Sequence, residues 1–175
     1  MTIMLRSGES VEDLIATGNS SCPSCGGALR RWGHARWRVV RGSDGDPGFR
    51  PGRVRCADCG VTQVVLPPEV LVRRRDATVV VGRAWRSFAE GAGARRVARL
   101  LGLPMETVRG WLRRLRTLAR AMYATFEASS QHHLKWALGY VVGEANLAGC
   151  QAEGDVWRFV AYRSQGRLLC NTSWP

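Results

Sequence analysis

Two short cysteine motifs carry the clearest chemistry in the chain: Cys22-Pro23-Ser24-Cys25-Gly26-Gly27 and Cys56-Ala57-Asp58-Cys59-Gly60. In each, the second thiol is followed by glycine, which lets backbone N–H groups turn towards sulfur. Two such turns can bring four thiolates to one tetrahedral ion, and Zn²⁺ is the ion expected for an all-sulfur set. Cys22, Cys25, Cys56 and Cys59 leave no open coordination position. The expected role is therefore structural, with one zinc ion pinning a segment too short to bury a core of its own. A thioredoxin-like redox role suits one such pair alone; two pairs with following glycines favour the metal. His34 is read as packing or a backbone contact, because four cysteines complete the set. His132, His133, Cys150 and Cys170 have no spacing that supports a second metal site.

Charge is the second source of chemistry. The 175 residues carry a net charge of +12, and of the 26 cationic residues only Lys135 is a lysine. Residues 1–27 have a net charge of −2, residues 28–120 hold 21 arginines against 7 acids, and residues 121–175 are neutral. A positive middle block implies a polyanionic partner. Nucleic acid is expected over membrane, because the arginines are spread over several elements instead of flanking an apolar stripe. No segment approaches the roughly 18 continuous apolar residues of a membrane span, and residues 1–10 lack the apolar core of a signal peptide. The expected location is the cytoplasm, associated with the nucleoid, where thiols stay reduced and serve as ligands instead of disulfides.

The elements that must position these groups are legible in outline. Gly93 to Arg116 reads as two short helices crossing at close range. Ala98 permits the approach, Gly102 permits a left-handed turn, and Pro104 stands at the second helix start. Val97, Leu101, Leu103, Val108 and Trp111 supply the shared core. On the wheel of the second helix Arg109, Arg113, Arg116 and Arg120 form one stripe, apart from Val108, Trp111, Leu112, Leu115, Leu118 and Met122. Arg95 and Arg99 face away from the core of the first helix. The plainer alternative is a helical hairpin with a solvated arginine face.

Before this pair, Thr78 to Glu90 is read as a helix in spite of Val79-Val80-Val81, because Val81, Trp85 and Phe88 share one face; Asp76 is the expected start. Leu29 to Val40, Arg53 to Arg55 and Val61 to Leu66 read as strands, with turn formers at residues 43–48 between the first two. Arg30, Arg31, Arg36, Arg38, Arg53 and Arg55 alternate along those strands. They form a second cationic surface or simply solvate a small domain. Arg73-Arg74-Arg75 follows Pro67-Pro68 and can track a phosphate backbone. Ser10 is placed to cap a short helix through Val11, Leu14 and Ile15. Asp155 is placed to cap another carrying Val156, Trp157, Val160 and Ala161, with Gly166 as its end. Trp136, Trp157 and Trp174 are read as core or interface residues.

The expected fold class is a small multi-domain α+β protein. An N-terminal arm (1–20) precedes a four-cysteine zinc ribbon of short antiparallel strands (21–67) and a basic linker (68–77). A helix-turn-helix unit (78–120) and a C-terminal helical packing or oligomerisation segment (121–175) complete it. The order CPxCG, a basic Trp-Gly-His strand, RxRCxxCG and a helix-turn-helix resembles the amino-terminal zinc-ribbon and helix-turn-helix module of bacterial insertion-sequence transposases. It is similar still more to small stand-alone actinobacterial proteins with the same module and a short helical tail. The resemblance covers about residues 22–120 well and the tail at residues 157–175 more loosely. It implies sequence-specific binding to double-stranded DNA, since that module binds transposon ends.

The catalytic domain of those enzymes, an RNase H-like fold with three metal-binding carboxylates, has no counterpart here. Glu127, Glu144, Glu153 and Asp155 are the acids that follow Arg120, too few for such a site, so catalysis is not expected. The expected role is a transcription regulator or a targeting factor for a separately encoded transposase or integrase, with a homodimer through the C-terminal segment as one route to specificity. Arg109, Arg113, Glu106 and Thr107 are the candidates for base edges. Arg95, Arg96, Arg99, Arg114, Arg116, Arg73, Arg74, Arg75, Arg36 and Arg38 are the further DNA-contact candidates. The alternative is a non-catalytic interaction module that docks on a nucleoprotein complex and contacts RNA or DNA without sequence preference.

Overall fold

The computed structural model describes residues 2–18, 20–42, 45–125 and 153–163. His132, His133, Trp136, Cys150, Gly166, Cys170 and Trp174, and the turn residues Ser43 and Asp44, lie outside the described residues. The described chain is mixed α/β. Its elements are β1 (Thr2–Met4), α1 (Val11–Ala16), β2 (Leu29–His34), β3 (Arg38–Val39), β4 (Gly48–Phe49), β5 (Gly52–Cys56), β6 (Thr62–Leu66), α2 (Thr78–Ala89), α3 (Ala94–Leu101), α4 (Met105–Thr125) and α5 (Glu153–Arg163).

The main sheet has the order β1-β6-β5-β2. Its β2–β5 and β5–β6 pairs are antiparallel, and β1 adds to β6 in parallel with Thr2 opposite Val64. The pleat of β5 sorts its residues by face: Val54 and Cys56 are buried, while Arg53 and Arg55 point to the other side. Helix α1 covers the buried face, where Leu14 packs with Ile3, Leu29, Val54, Cys56 and Val65. Ser10 caps α1 through a reciprocal pair. Its Oγ accepts from the Asp13 N–H at 3.0 Å, and its own N–H donates to Asp13 Oδ2 at 3.0 Å. An ion pair between Glu12 and Arg31 ties the helix to β2. Residues 2–16, expected as an arm, thus form an edge strand and a cover for the sheet.

A second core lies beyond the sheet and is centred on α2. Val80, Val81, Ala84, Trp85, Phe88 and Ala89 are all buried, and α3, α4 and α5 pack around this helix. Burial on nearly every side explains why the β-branched run Val79-Val80-Val81 is helical: packing outweighs a propensity difference of a few tenths of a kcal/mol per residue. Met4, Val40, Leu66, Val70 and Leu71 belong to the same cluster as Val97, Val108, Trp111, Leu115 and Trp157. One apolar core therefore runs from the sheet through residues 68–77 into the helices. Helix α4 runs on to Thr125.

Two expected caps do other work. Helix α2 begins after Ala77 with no side-chain cap; Asp76 is buried and pairs instead with Arg41, Nη2 to Oδ1 at 2.8 Å. Burial pushes the Asp76 carboxyl up from its ordinary value, and the Arg41 charge opposes that shift. Asp155 lies inside α5 and accepts from Arg158 at 2.9 Å, while Arg158 also reaches Glu69 at 3.0 Å. Trp157 is fully buried against Gly82 of α2.

Candidate metal centre and cationic faces

The four cysteines predicted from spacing meet at one point. Cys22 and Cys25 sit in the turn before β2, closed by the Gly26 N–H donating to the Cys22 carbonyl at 2.8 Å. Cys56 ends β5, and Cys59 lies in the turn before β6. Gly26 and Gly60 adopt φ of +78° and +70°, the left-handed backbone that only glycine takes at no steric cost. A side chain at Gly27 would collide with Asp58, its Cβ standing 2.0 Å from the carboxylate, so the two turns interlock. The four Sγ atoms lie within 4.8 Å of one another; Cys22 and Cys59 are 3.7 Å apart and Cys25 and Cys56 3.4 Å.

These separations fit a metal ion. A tetrahedron with metal–sulfur bonds of about 2.3 Å has edges of about 3.8 Å. A disulfide would need sulfurs at about 2.0 Å. The electrostatics agree. The Ser24 N–H, then the N–H of Cys25 and the Cys59 and Cys56 thiols, draw the Cys22 thiol down to about 6 against the effect of burial. Cys25 is pushed up to about 12: the Gly27 N–H acts to lower it but is outweighed by the Cys59 and Cys56 thiols, burial and Cys22. Four sulfurs this close resist becoming four anions by themselves. A dication is what lets every thiol give up its proton. Cys22 and Cys56 are buried and Cys25 and Cys59 exposed, so the centre sits at the rim of the sheet with two ligands anchored in the core.

The α3–α4 pair carries the next group. Gly102 closes α3 at φ +62°, and the Leu103 N–H donates to the Ala98 carbonyl at 2.9 Å, a compact helix end that turns the chain at once into α4. Val97, Ala98, Val108, Trp111 and Leu115 are buried between the helices. On the outside Arg95, Arg96 and Arg99 of α3 and Glu106, Arg109, Arg113 and Arg116 of α4 are exposed. Arg109 is held by Glu106 at 2.8 Å. Among the described residues no carboxylate pairs with Arg95, Arg96, Arg99, Arg113 or Arg116. Arg114 and Thr107 stand off this stripe, roughly 140–160° around the helix from Arg109. Both are half-buried, and Arg114 Nε folds back on the Gly110 carbonyl at 3.1 Å.

A third group forms where the sequence separates its members. Arg38 of β3 and Arg73, Arg74 and Arg75 line one cleft of about 620 Å³ together with Thr2, Val39, Val64, Leu66 and Val72. Arg38 Nη2 donates to the Arg74 carbonyl at 2.8 Å, so it braces the 71–75 backbone as well as charging the cleft. Arg73 has φ of +56°, a left-handed conformation that costs a non-glycine residue of the order of 1–3 kcal/mol. Arg36 is exposed outside this cleft. Sequence reasoning passed over Trp32 and Trp37, both exposed on the β2–β3 segment; the available signal was their interleaving with Arg30, Arg31, Arg36 and Arg38.

Among the described residues no helix is long and apolar enough to cross a membrane. Comparison with protein-family models, with curated proteins and with solved structures gave no match.

Proposed function

We propose that the chain binds double-stranded DNA in a sequence-specific manner, as a transposon-associated targeting factor or a transcription regulator, and that it is not an enzyme. The observation that carries this reading is the exposed stripe Glu106, Arg109, Arg113, Arg116, beside a turn at Gly102 that sets α3 directly before α4. In this reading the pair acts as a helix-turn-helix with α4 in the major groove. Arg113 and Arg109 read guanine edges, since arginine offers two parallel donors to O6 and N7. Glu106 holds Arg109 in place from one turn below. Arg95, Arg96 and Arg99 hold phosphates, as do the cleft arginines Arg38, Arg73, Arg74 and Arg75. Arg114 and Thr107 take a flanking role, given their half-buried positions.

The metal in this reading is one zinc ion held by Cys22, Cys25, Cys56 and Cys59. Bound there it supplies a cross-link between two turns, and no reaction is routed through it. Cys22 and Cys56 sit in the α1-side core and the same sheet reaches the α2 core through Met4 and Leu66, so the cross-link also steadies the platform from which α3 and α4 project. Selection from random duplexes tests the proposal. A preferred motif bound roughly a thousandfold or more above random DNA at fixed salt is the expected result. Recovery of no enriched motif would assign the chain to the docking class with non-specific nucleic-acid contacts.

A further inference from the structure

The β2–β5 end of the sheet face opposite α1 carries a feature that duplex binding leaves unused. On β2 and β5, Arg30 stands directly opposite Arg55, and Trp32, two residues on, shares their face. The Arg55 guanidinium lies 4.6 Å from the centre of the Trp32 ring and is fixed by donating from Nε to the Gly60 carbonyl at 3.1 Å. Arg53, on the same face, donates to Thr62 Oγ1 at 2.9 Å. Trp32 is nevertheless 52 % exposed, and among the described residues no carboxylate pairs with Arg30, Arg53 or Arg55. Five residues along, Trp37 is 60 % exposed, yet its indole packs against Gly48, where an added Cβ would stand 2.2 Å from the ring. Both indoles are held in place and both face solvent.

Apolar rings this exposed, fixed in position and set among unpaired guanidiniums, suit a partner with flat faces and repeated negative charge. Two arginines directly opposite one another repel unless an anion lies between them. Inside a duplex the faces of the bases are covered by their neighbours and exposing one costs unstacking energy, so an indole stacks most readily on an unpaired base. We propose that the Trp32–Arg55 face binds single-stranded DNA, with unpaired bases stacking on Trp32 and phosphates held by Arg30, Arg53 and Arg55. The site is separate from α4. It borrows from the duplex reading only the expectation that DNA is the nucleic acid at hand.

The test uses the full chain as purified and fluorescein-labelled oligothymidylate of about 12 nucleotides at fixed salt, with a labelled duplex alongside. Trp32→Ala should weaken oligothymidylate binding about tenfold, Trp32→Phe should restore most of it, and duplex affinity should change less than about twofold. Arg113→Ala should do the reverse. Metal content is measured for each variant. If Trp32→Ala loses metal, Arg30→Ala serves in its place, with a loss expected on oligothymidylate and not on duplex. Equal binding of oligothymidylate by wild type and the Trp variants would overturn the proposal. So would an equal loss on both DNAs, tighter binding of oligouridylate than of oligothymidylate, or competition by polyglutamate as effective as by the oligonucleotide. Trp32-dependent oligothymidylate binding without any duplex preference would leave this inference standing and remove the reading of α4.

Discussion

Gly82→Ala sets two physical effects of opposite sign against each other. Gly82 is buried in the middle of α2, and glycine in a helix interior costs about 1 kcal/mol relative to alanine, so propensity alone makes the substitution stabilising. Contact says the reverse. A Cβ at Gly82 would stand 2.2 Å from Cδ2, 2.3 Å from Cγ and 2.4 Å from Cε2 of Trp157. Cγ is the root of the indole, so rotating the ring does not clear the clash, and the fully buried residue has no open side to move into. Overpacking of this kind costs about 1–3 kcal/mol, and contacts this short place it at the upper end. Lifting α5 off α2 instead would expose an indole that buries about 150–250 Å². That is worth roughly 4–6 kcal/mol at about 25 cal/mol per Å². The helix therefore stays docked and strained, for a net loss of about 2 kcal/mol after the propensity gain. Urea unfolding at unchanged m-value measures it, and Trp157→Phe in the same background should recover part of the loss. A rise in stability of about 1 kcal/mol for Gly82→Ala would show that Trp157 does not sit on α2 and would refute the packing argument.

Three further outcomes follow from the sites. Arg113→Ala should cost about 1–3 kcal/mol on the selected duplex and relax its sequence preference, whereas Arg99→Ala should weaken all duplexes alike and lower the salt slope by about one; binding isotherms at several salt concentrations separate the two. Metal should leave as the pH falls, because protons compete for the thiolates. Release read with a colorimetric chelator should therefore rise as the buffer is acidified, and metal retained unchanged in acid would contradict binding by four thiolates. Asp13 is held below its ordinary value by the Ser10 hydroxyl and then the Ser10 N–H, so its contribution is present above the ordinary carboxylate pKa and is lost as the pH falls through the lowered one. Ser10→Ala should therefore flatten the acid limb of a stability–pH curve, and an unchanged acid limb would contradict that account.

What the chain reveals of itself depends on how local each determinant is. The cysteine cluster is legible because each CxxCG turn is complete within five residues, and the left-handed glycines at 26 and 60 are required by the turn itself. Gly102 and the stripe of α4 are legible for the same reason: cap, core spacing and exposed arginines all lie within one helix pair. Strand β1 is not legible. Three residues pair with β6 about sixty positions away, and no local pattern specifies such a partner. Asp76 looks like a helix start until Arg41 is placed beside it, and the arginine cleft exists only because β3 and residues 72–75 are brought together. Trp32 and Trp37 pass for strand filler, since aromatic residues in an alternating run are ordinarily core.

The same distinction bears on how the arginines should be weighed. Several guanidiniums that serve the fold carry an acid, Glu12 on Arg31, Asp76 on Arg41, and Asp155 with Glu69 on Arg158, while Arg38 braces the backbone through a carbonyl and Glu106 sits on Arg109 of the exposed stripe. Elsewhere the chain accepts local losses, with Arg30 facing Arg55 across two strands and Arg73 in a left-handed backbone. Those terms are about 0.2–1 and 1–3 kcal/mol, against a total stability of roughly 5–15 kcal/mol for a domain. A chain shaped by folding alone would relieve them with a carboxylate or a glycine. Leaving them unrelieved, while one shared core and a four-sulfur cluster hold the surrounding backbone, is consistent with guanidiniums kept for an anion that arrives from outside the chain.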